Sequence, residues 1–313
     1  MSISHHVSVV IPTKNAGPLF VEVLSAIRSQ EDVEIDLLVV DSGSSDETLA
    51  IAQAHGARVL EIPPQEFNHG ATRDRGIGMA RHEIVVLMTQ DATAGDPFLL
   101  ANLAKTFDDP AVGGAYARQV ARPDADCLTR RNLELAFTGR LVSEVKSLSA
   151  EQTFATLSPF ERYALCNFDN VCSAVRRSAW LSIPFGKVDF AEDIVWSRRA
   201  LMAGWKLAYV ADSHVVHSHD RPLRYLYRRT YLTHRKLHEE YELTTVPTLR
   251  YAFYAIYCTI RADWHHAQHH EPSRRRRYPL MLQIPLLACA SVFGQYFGVR
   301  DESLGRGRSY AGI

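Results

Sequence analysis

The chain has 313 residues, is 46% hydrophobic and balances 35 Lys+Arg against 35 Asp+Glu; that is ample for a buried core and offers no mean charge to argue for nucleic acid as a partner. Its five cysteines (Cys127, Cys166, Cys172, Cys258 and Cys289) are scattered and form no C-x-x-C pair, which argues against a disulfide framework or a cysteine zinc site and fits a reducing compartment. The opening MSISHHVSVVIP meets a strand almost at once, with no basic region before a long apolar run, so no signal peptide is expected and the cytoplasm or the inner face of the cell membrane is the expected location.

In chain order, residues 7–11 read as a β-branched strand, and Phe20, Val23, Leu24 and Ile27 fall at helical spacing within 19–30. A second apolar strand covers 35–40. Ser44 followed by Glu47 has the pattern of a capping box, opening a helix that ends near Gly56. Residues 57–62 read as a third strand, 71–81 as a helix weakened by Gly76 and Gly78, 83–88 as a fourth strand, and 97–107 as a helix with Pro97 at its start. The polar stretch 120–165 reads as helices over the sheet. Another strand follows at 171–176, then a helix at 191–203 stopped at Gly204, then one or two strands within 206–216. After Pro222 the segments turn helical and rich in aromatics and arginine. Apolar strands alternating with helices predict an α/β fold, a mostly parallel sheet flanked by helices with a helical C-terminal extension. In such sheets ligands bind beyond the carboxyl ends of the strands.

Those ends carry polar signatures: Pro12-Thr13-Lys14-Asn15, Asp41-Ser42-Gly43 with Asp46 beyond, Thr89-Gln90-Asp91, Glu192-Asp193, and His217-Ser218-His219. Each residue type suits one task in nucleotide-sugar chemistry. A carboxylate such as Asp41 can accept the imide N–H of a pyrimidine, and Thr13 with nearby backbone can hold base and ribose. Asp91 can ligate a hard divalent cation that neutralises a departing diphosphate, and Arg73 can add a planar positive charge to it. An acceptor hydroxyl needs a general base; Asp193 is the candidate, with Glu192 beside it. Plainer roles compete. Asp46 can serve as a helix cap, Glu192-Asp193 can complement a helix dipole, and His217 and His219, alternating along a strand, can share one solvated face.

Taken together, VSVVIPTKN and VVDSGSSDET resemble the opening of the family 2 glycosyltransferases, which have the GT-A Rossmann-like fold. FNHGATRDRG resembles a signature of bacterial rhamnosyltransferases, and brings Asn68, His69, Thr72 and Arg73 into the expected donor site. TQDA sits at the family's metal-binding motif, with Asp91 its one acid. FAEDIVW resembles the segment whose Asp is the catalytic base, which maps onto Asp193. VVHSH falls where the family places a metal-binding His, His217 or His219. The resemblance covers about residues 7–220 and implies an inverting transfer, with Mg²⁺ or Mn²⁺, from a nucleotide-diphosphate sugar, dTDP-β-L-rhamnose, onto a polysaccharide or lipid-linked glycan acceptor. A UDP-hexose transferase and a non-catalytic nucleotide-sugar-binding partner are the alternatives. A nucleotidyltransferase would need a Gly-rich loop after the first strand, which PTKNAGPLF lacks.

Residues 1–220 are thus expected to form the catalytic domain and 221–313 a helical region facing acceptor or membrane. From Arg221 to Tyr278 twelve Lys/Arg meet five acids, and Arg274–Arg277 precede an apolar run to Phe297 interrupted by Gln283, Pro285, Gly294 and Gln295. That pattern fits peripheral membrane contact. The histidines of WHHAQHH (264–270) pair at i, i+4 and read as a solvated face. A homodimer is a further compatible assembly.

Overall fold

A computed structural model describes residues 5–148, 154–219 and 222–306. The elements run β1 (His5–Thr13), α1 (Leu19–Arg28), β2 (Val33–Asp41), α2 (Thr48–Ala54), β3 (Arg58–Glu61), α3 (His69–Met79), β4 (Ile84–Met88), β5 (Thr93–Ala94), α4 (Leu99–Lys105) and β6 (Val112–Val120). Then follow α5 (Cys127–Leu135), β7 (Glu144–Lys146), α6 (Pro159–Cys166), β8 (Cys172–Arg176), α7 (Arg177–Ser182), α8 (Glu192–Met202), β9 (Lys206–Val216), α9 (Leu223–Tyr241), α10 (Leu249–His270) and α11 (Arg274–Ser303).

The strands form one sheet in the order β3-β2-β1-β4-β8-β6-β9-β5, with β7 paired to β9. β1, β2, β3 and β4 pair in parallel, as do β6 and β9. β8 runs antiparallel between β4 and β6, and β5 and β7 run antiparallel to β9. Six strands therefore share one direction, as expected of a mostly parallel sheet. The reversal of β8 has a consequence for the site: residues just before β8 stand at the same edge as residues just after β1, β2, β4, β6 and β9.

β1 is apolar on both faces because both are covered. Val7, Val9 and Ile11 join one core cluster with Phe20, Val23 and Leu24 of α1 and Leu99, Leu100 and Leu103 of α4. Val10, pointing to the other face, meets Gly76 of α3 so closely that a Cβ there would stand 2.3 Å from its side chain. The glycine read as a helix weakness is what lets α3 lie on the sheet.

Three departures from expectation stand out. β6 was not anticipated from VGGAYARQV, since glycines weaken a strand signal. A Cβ at Gly114 would come within 2.8 Å of Trp196, and one at Gly113 within 2.9 Å of Trp205, so the glycines make room for indoles. β7 likewise lies inside the stretch 120–165, whose polar pattern reads as helical. The Ser44/Glu47 capping box does not form: Ser44 Oγ donates to Asp41, and Asp46 accepts the Thr48 amide instead.

The chain divides into two compact units that interleave in sequence. One comprises Met1–Val120, Leu133–Thr156 and Leu165–His217; the other Ala121–Asn132, Leu157–Ala164 and Ser218–Ile313. The expected cut between 220 and 221, and Arg221 itself, lie outside the described residues. In the second unit α9 and α11 pack through small residues. Gly298 approaches the Tyr231 carbonyl, where a Cβ would stand at 2.3 Å. Val246, Ala252 and Ile256 pack with Ala288 and Val292, and Cys127 and Leu128 with Ala267, Met281 and Ile284.

Candidate active site

The loops after β1 and β2 are stitched together by side chains. Asn15 takes a left-handed conformation (φ 47°), its amide donating to Ser44 Oγ at 2.8 Å and its Oδ1 accepting the Ser45 amide at 2.8 Å. Ala16 N–H reaches Thr48 Oγ1, and Gly17 N–H reaches Asp46 Oδ2. Asp46 thus serves the start of α2 and this loop together. Ser42 Oγ donates to the Thr13 carbonyl. Gln90, after β4, clasps Lys14 with Oε1 on its amide (2.8 Å) and Nε2 on its carbonyl (3.3 Å). The expected donor-site residues Pro12, Thr13, Lys14, Asn15, Asp41, Ser42, Gly43 and Gln90 therefore do converge on one edge.

Asp41 is engaged within the protein. It is fully buried, and its carboxylate accepts Thr13 Oγ1 (3.0 Å), Ser44 Oγ (2.5 Å), Gly43 N–H (2.9 Å) and Ser44 N–H (2.8 Å). A pyrimidine imide would have to displace one of these four donors. In this structure the carboxylate holds the turn in shape, and the exposed rim, Lys14, Asn15 and Gly43, is what faces solvent.

The 67–76 block acts as a bracket. Asn68 caps α3 by accepting the Ala71 amide, while its Nδ2 donates to Asp189 Oδ1 at 2.9 Å. Thr72 is buried and its Oγ1 accepts the Asn68 amide. Gly70 lies against the Gly186 carbonyl, where a Cβ would stand at 2.2 Å. Asp74 accepts Trp180 Nε1 (2.6 Å), Phe185 N–H (2.9 Å) and Gly186 N–H (2.7 Å). His69 stacks edge-on against Phe67. Arg73 is buried and turned inward: its Nη1 meets Glu192 at 2.9 Å and the His69 carbonyl at 3.1 Å. In this structure the charge of Arg73 is met by the buried Glu192. The whole block fixes the segment 183–193 that delivers Asp193 to the edge.

Ala191 enters α8 in the left-handed conformation (φ 57°), turning Glu192 inward and leaving Asp193 partly exposed. Burial raises the Glu192 carboxyl pKa, but Arg73, His69 and the Asn170 amide together outweigh it and hold it below the usual range. Asp193 goes the other way. Burial, then the charge of Glu192, then that of Asp169 push its pKa up to about 8. Two neighbouring carboxyls with diverging pKa values are the usual sign of divided acid–base roles.

At the other end, His217 Nε2 lies 3.5 Å from Asp91 Oδ1. The two histidines do not share a strand face as expected, because β9 ends at Val216 and both lie beyond it. Asp91, His217 and His219 nonetheless offer ligand atoms within 4.8 Å of one another; they are the grouping of this kind found among the described residues. The neighbouring ring pairs His265/His269 and His266/His270 join no such grouping among the described residues. Three residues not anticipated from sequence connect the two ends. Gln119, closing β6, donates Nε2 to Asp169 Oδ2 at 2.6 Å. That turns its Oε1 to His217 Nδ1, 3.3 Å away. That leaves His217 Nε2 as the ring nitrogen facing Asp91, with the ring oriented from behind by Gln119. Next to Asp169, Asn170 donates its amide to Asp193 (3.4 Å) and its Nδ2 to Glu192 (3.0 Å). Asn167, Asp169 and Asn170 form a polar cluster ahead of an apolar strand. That was the signal available, but it reads as part of the site only once β8 is known to run antiparallel.

A twisted α/β sheet with acids, amides and histidine gathered at one edge defines the GT-A class of glycosyltransferase folds. Solved structures agree. The Pyrobaculum calidifontis mannosyltransferase PcManGT, in complex with GDP-Man and Mn²⁺, superposes with a TM-score of 0.52 at 18% identity, covering 95% of this chain and 73% of that one. Glucosyl-3-phosphoglycerate synthase from Mycobacterium tuberculosis, with Mn²⁺, UDP-glucose and phosphoglyceric acid, superposes at 0.51 and 22% identity, covering 79% and 83%. The family model "Glycosyl transferase family 2" matches residues 8–180. The O-antigen chain rhamnosyltransferase RfbN of Salmonella typhimurium is 30% identical over 232 residues, 72% of this chain and 71% of that protein. WbaN of Salmonella anatum, also an O-antigen chain rhamnosyltransferase, is 30% identical over 235 residues, 72% and 70%. The chain belongs to glycosyl transferase family 2.

Proposed function

We propose that this glycosyltransferase moves L-rhamnose from dTDP-β-L-rhamnose onto a hydroxyl of a cell-surface polysaccharide or its lipid-linked precursor, with inversion at the anomeric carbon. It would act in the cytoplasm or at the inner face of the membrane. The observation that carries the reading is the unbroken chain of contacts from Asp91 through His217, Gln119 and Asp169 to Asn170 and Asp193. It sets a candidate cation site and a candidate base on one edge, as displacement of a diphosphate by an alcohol requires. The rhamnosyl donor is supported by the names of the two Salmonella relatives and by the 67–76 block.

Asp91 and His217, with His219, would hold a Mg²⁺ or Mn²⁺, and such an ion supplies positive charge to the departing diphosphate. The loops 13–17 and 41–48, cross-braced by Asn15, Asp46 and Gln90, present a preformed rim to the nucleotide, so little ordering cost falls on binding. Asp193 takes the proton of the acceptor hydroxyl as that oxygen attacks opposite the leaving group. Its raised pKa strengthens it as a base, and Glu192, ionised against Arg73, supplies part of the field that raises it. Asn170 steadies both carboxyls through separate bonds.

The test is thermal-shift binding of dTDP-rhamnose, UDP-glucose, UDP-GlcNAc and GDP-mannose, each with Mn²⁺ and with EDTA. The expected result is stabilisation by dTDP-rhamnose, lost in EDTA. Stabilisation by a UDP-sugar alone would replace the donor and keep the transferase. No shift with any donor would favour a non-catalytic role.

A further inference from the structure

α10 carries a feature that the catalytic reading leaves unused. Arg250, Tyr254, Tyr257, Arg261 and Trp264 follow one another at steps of four, three, four and three residues, the spacing of a single helical face. All five are exposed; Tyr254 stands 63% open, Tyr257 60% and Trp264 41%. The opposite face supplies Ala252, Ile256 and Ala267 to the packing of the unit. The stripe runs about 21 Å along the helix. Three amphipathic rings on one face with two guanidinium groups suit a boundary that is apolar on one side and wet on the other.

The charge on α10 is one-sided. Its single Asp, Asp263, is turned to Arg131 at 2.6 Å, and Glu271, just past its end, is buried. α11 repeats the theme. Arg275, Tyr278, Leu282 and Leu286 are exposed at helical spacing, opposite buried Met281, Ile284 and Ala288, and the helix has no acid before Asp301. Beside the start of α10, Leu249 and Phe253 help Leu223, Tyr227, Phe293 and Phe297 line an open apolar groove of about 560 Å³. By length and composition α11 is also long and apolar enough to cross a membrane.

We propose that the Arg250–Tyr254–Tyr257–Arg261–Trp264 face of α10 is the docking surface for a bilayer containing anionic lipid, with the rings at headgroup level and both arginines on lipid phosphates. This deepens the membrane reading made from the arginine cluster of α11 and assigns the contact to specific residues of a second helix. A second copy of the chain is the poorer occupant, because the stripe offers no carboxylate to meet the arginines of its mate. Anionic lipid brings the missing charge, and an in-plane amphipathic helix buries its rings without crossing the hydrocarbon.

The experiment is flotation of the full chain with vesicles of phosphatidylglycerol and phosphatidylethanolamine, against vesicles of phosphatidylcholine alone, following Trp264 emission in parallel. Wild type is expected to float with the anionic vesicles only, with a blue shift that Trp264→Phe removes. Arg250→Glu/Arg261→Glu should lower partitioning by about tenfold or more, given the pull of an anionic surface on each arginine, and Tyr254→Ser/Tyr257→Ser should lower it too. All four side chains are exposed, so donor-induced thermal shifts should be retained in both variants. If wild type floats and both α10 variants float equally well, the α10 assignment is wrong and the α11 reading stands. If wild type floats with neither vesicle, both fall. Self-association of wild type abolished by the same variants, without vesicle binding, would make the face a dimer interface and overturn the proposal.

Discussion

Asp193 carries opposite requirements for catalysis and stability. Its pKa is raised to about 8 by burial and by Glu192 and Asp169, so the ionised form needed to accept a proton grows as pH rises. Turnover is expected to climb with pH until about 8 and then level off, read from kcat at saturating donor. For folding the sign reverses. The native state holds this proton more tightly than the unfolded chain, so the group stabilises fully in acid, below the ordinary Asp value of 3.8, and that contribution is lost as pH rises toward 8. Asp193→Asn should therefore lower kcat by about 10²–10⁴ yet raise the melting temperature at pH 8, with the gain fading toward pH 4. A variant with near-normal turnover would remove Asp193 as the base.

Glu192 and Arg73 are a buried pair at 2.9 Å. Breaking such a pair from one side costs about 3–5 kcal/mol, because the partner charge is left uncompensated. Glu192→Gln should show that loss in chemical denaturation. It should also shift the kcat–pH profile to lower pH, since a negative charge beside Asp193 disappears. A loss of stability with an unmoved profile would mean that Glu192 is structural only.

At the scale of elements, the 67–76 block and the 183–193 segment form one unit of construction. Gly70 has no room for a Cβ against the Gly186 carbonyl, and backbone yields less readily than a side chain. Gly70→Ala is expected to destabilise by about 1–3 kcal/mol and to depress kcat through displacement of Asp193, while donor affinity changes little. Asp74→Ala leaves the Trp180 indole and two backbone amides without their acceptor, at about 1–3 kcal/mol for each buried donor that water cannot reach. Both variants are read by urea denaturation beside donor binding. Unchanged kcat in Gly70→Ala would show that the bracket does not set the position of the base. A block that resembles a donor-recognition signature thus spends most of its residues on positioning.

At the scale of the molecule, donor and cation should act as ligands of the native state. A ligand at a hundredfold excess over its Kd stabilises by about 2.7 kcal/mol. Asp91→Ala and His217→Ala are expected to abolish the Mn²⁺-dependent part of that gain and spare any metal-independent part, measured by calorimetry with and without EDTA. Equal stabilisation in EDTA would remove the cation from donor binding.

Much of this molecule is legible in the sequence because the signals are local. Continuous apolar runs mark β1, β2 and β4, buried on both faces, and a polar residue directly after each must lie at the carboxyl edge. Asp91 after β4 and His217 after β9 follow that rule, whereas Asp193 stands at the start of a helix and is reached through the resemblance of FAEDIVW. Other features depend on residues remote in sequence. β6 hides behind Gly113 and Gly114, whose role is to admit Trp205 and Trp196 from elsewhere in the chain. Gln119, Asp169 and Asn170 become neighbours because β8 runs against β4 and β6, and strand direction is set by packing and connection rather than by local pattern. The partners that Asp41 and Arg73 find within the protein were set by which donors and acids the fold brought to them. Residue order determined where charge and hydrophobicity fall along each element; burial and pairing across elements decided which charged groups are matched within the protein and which remain for chemistry.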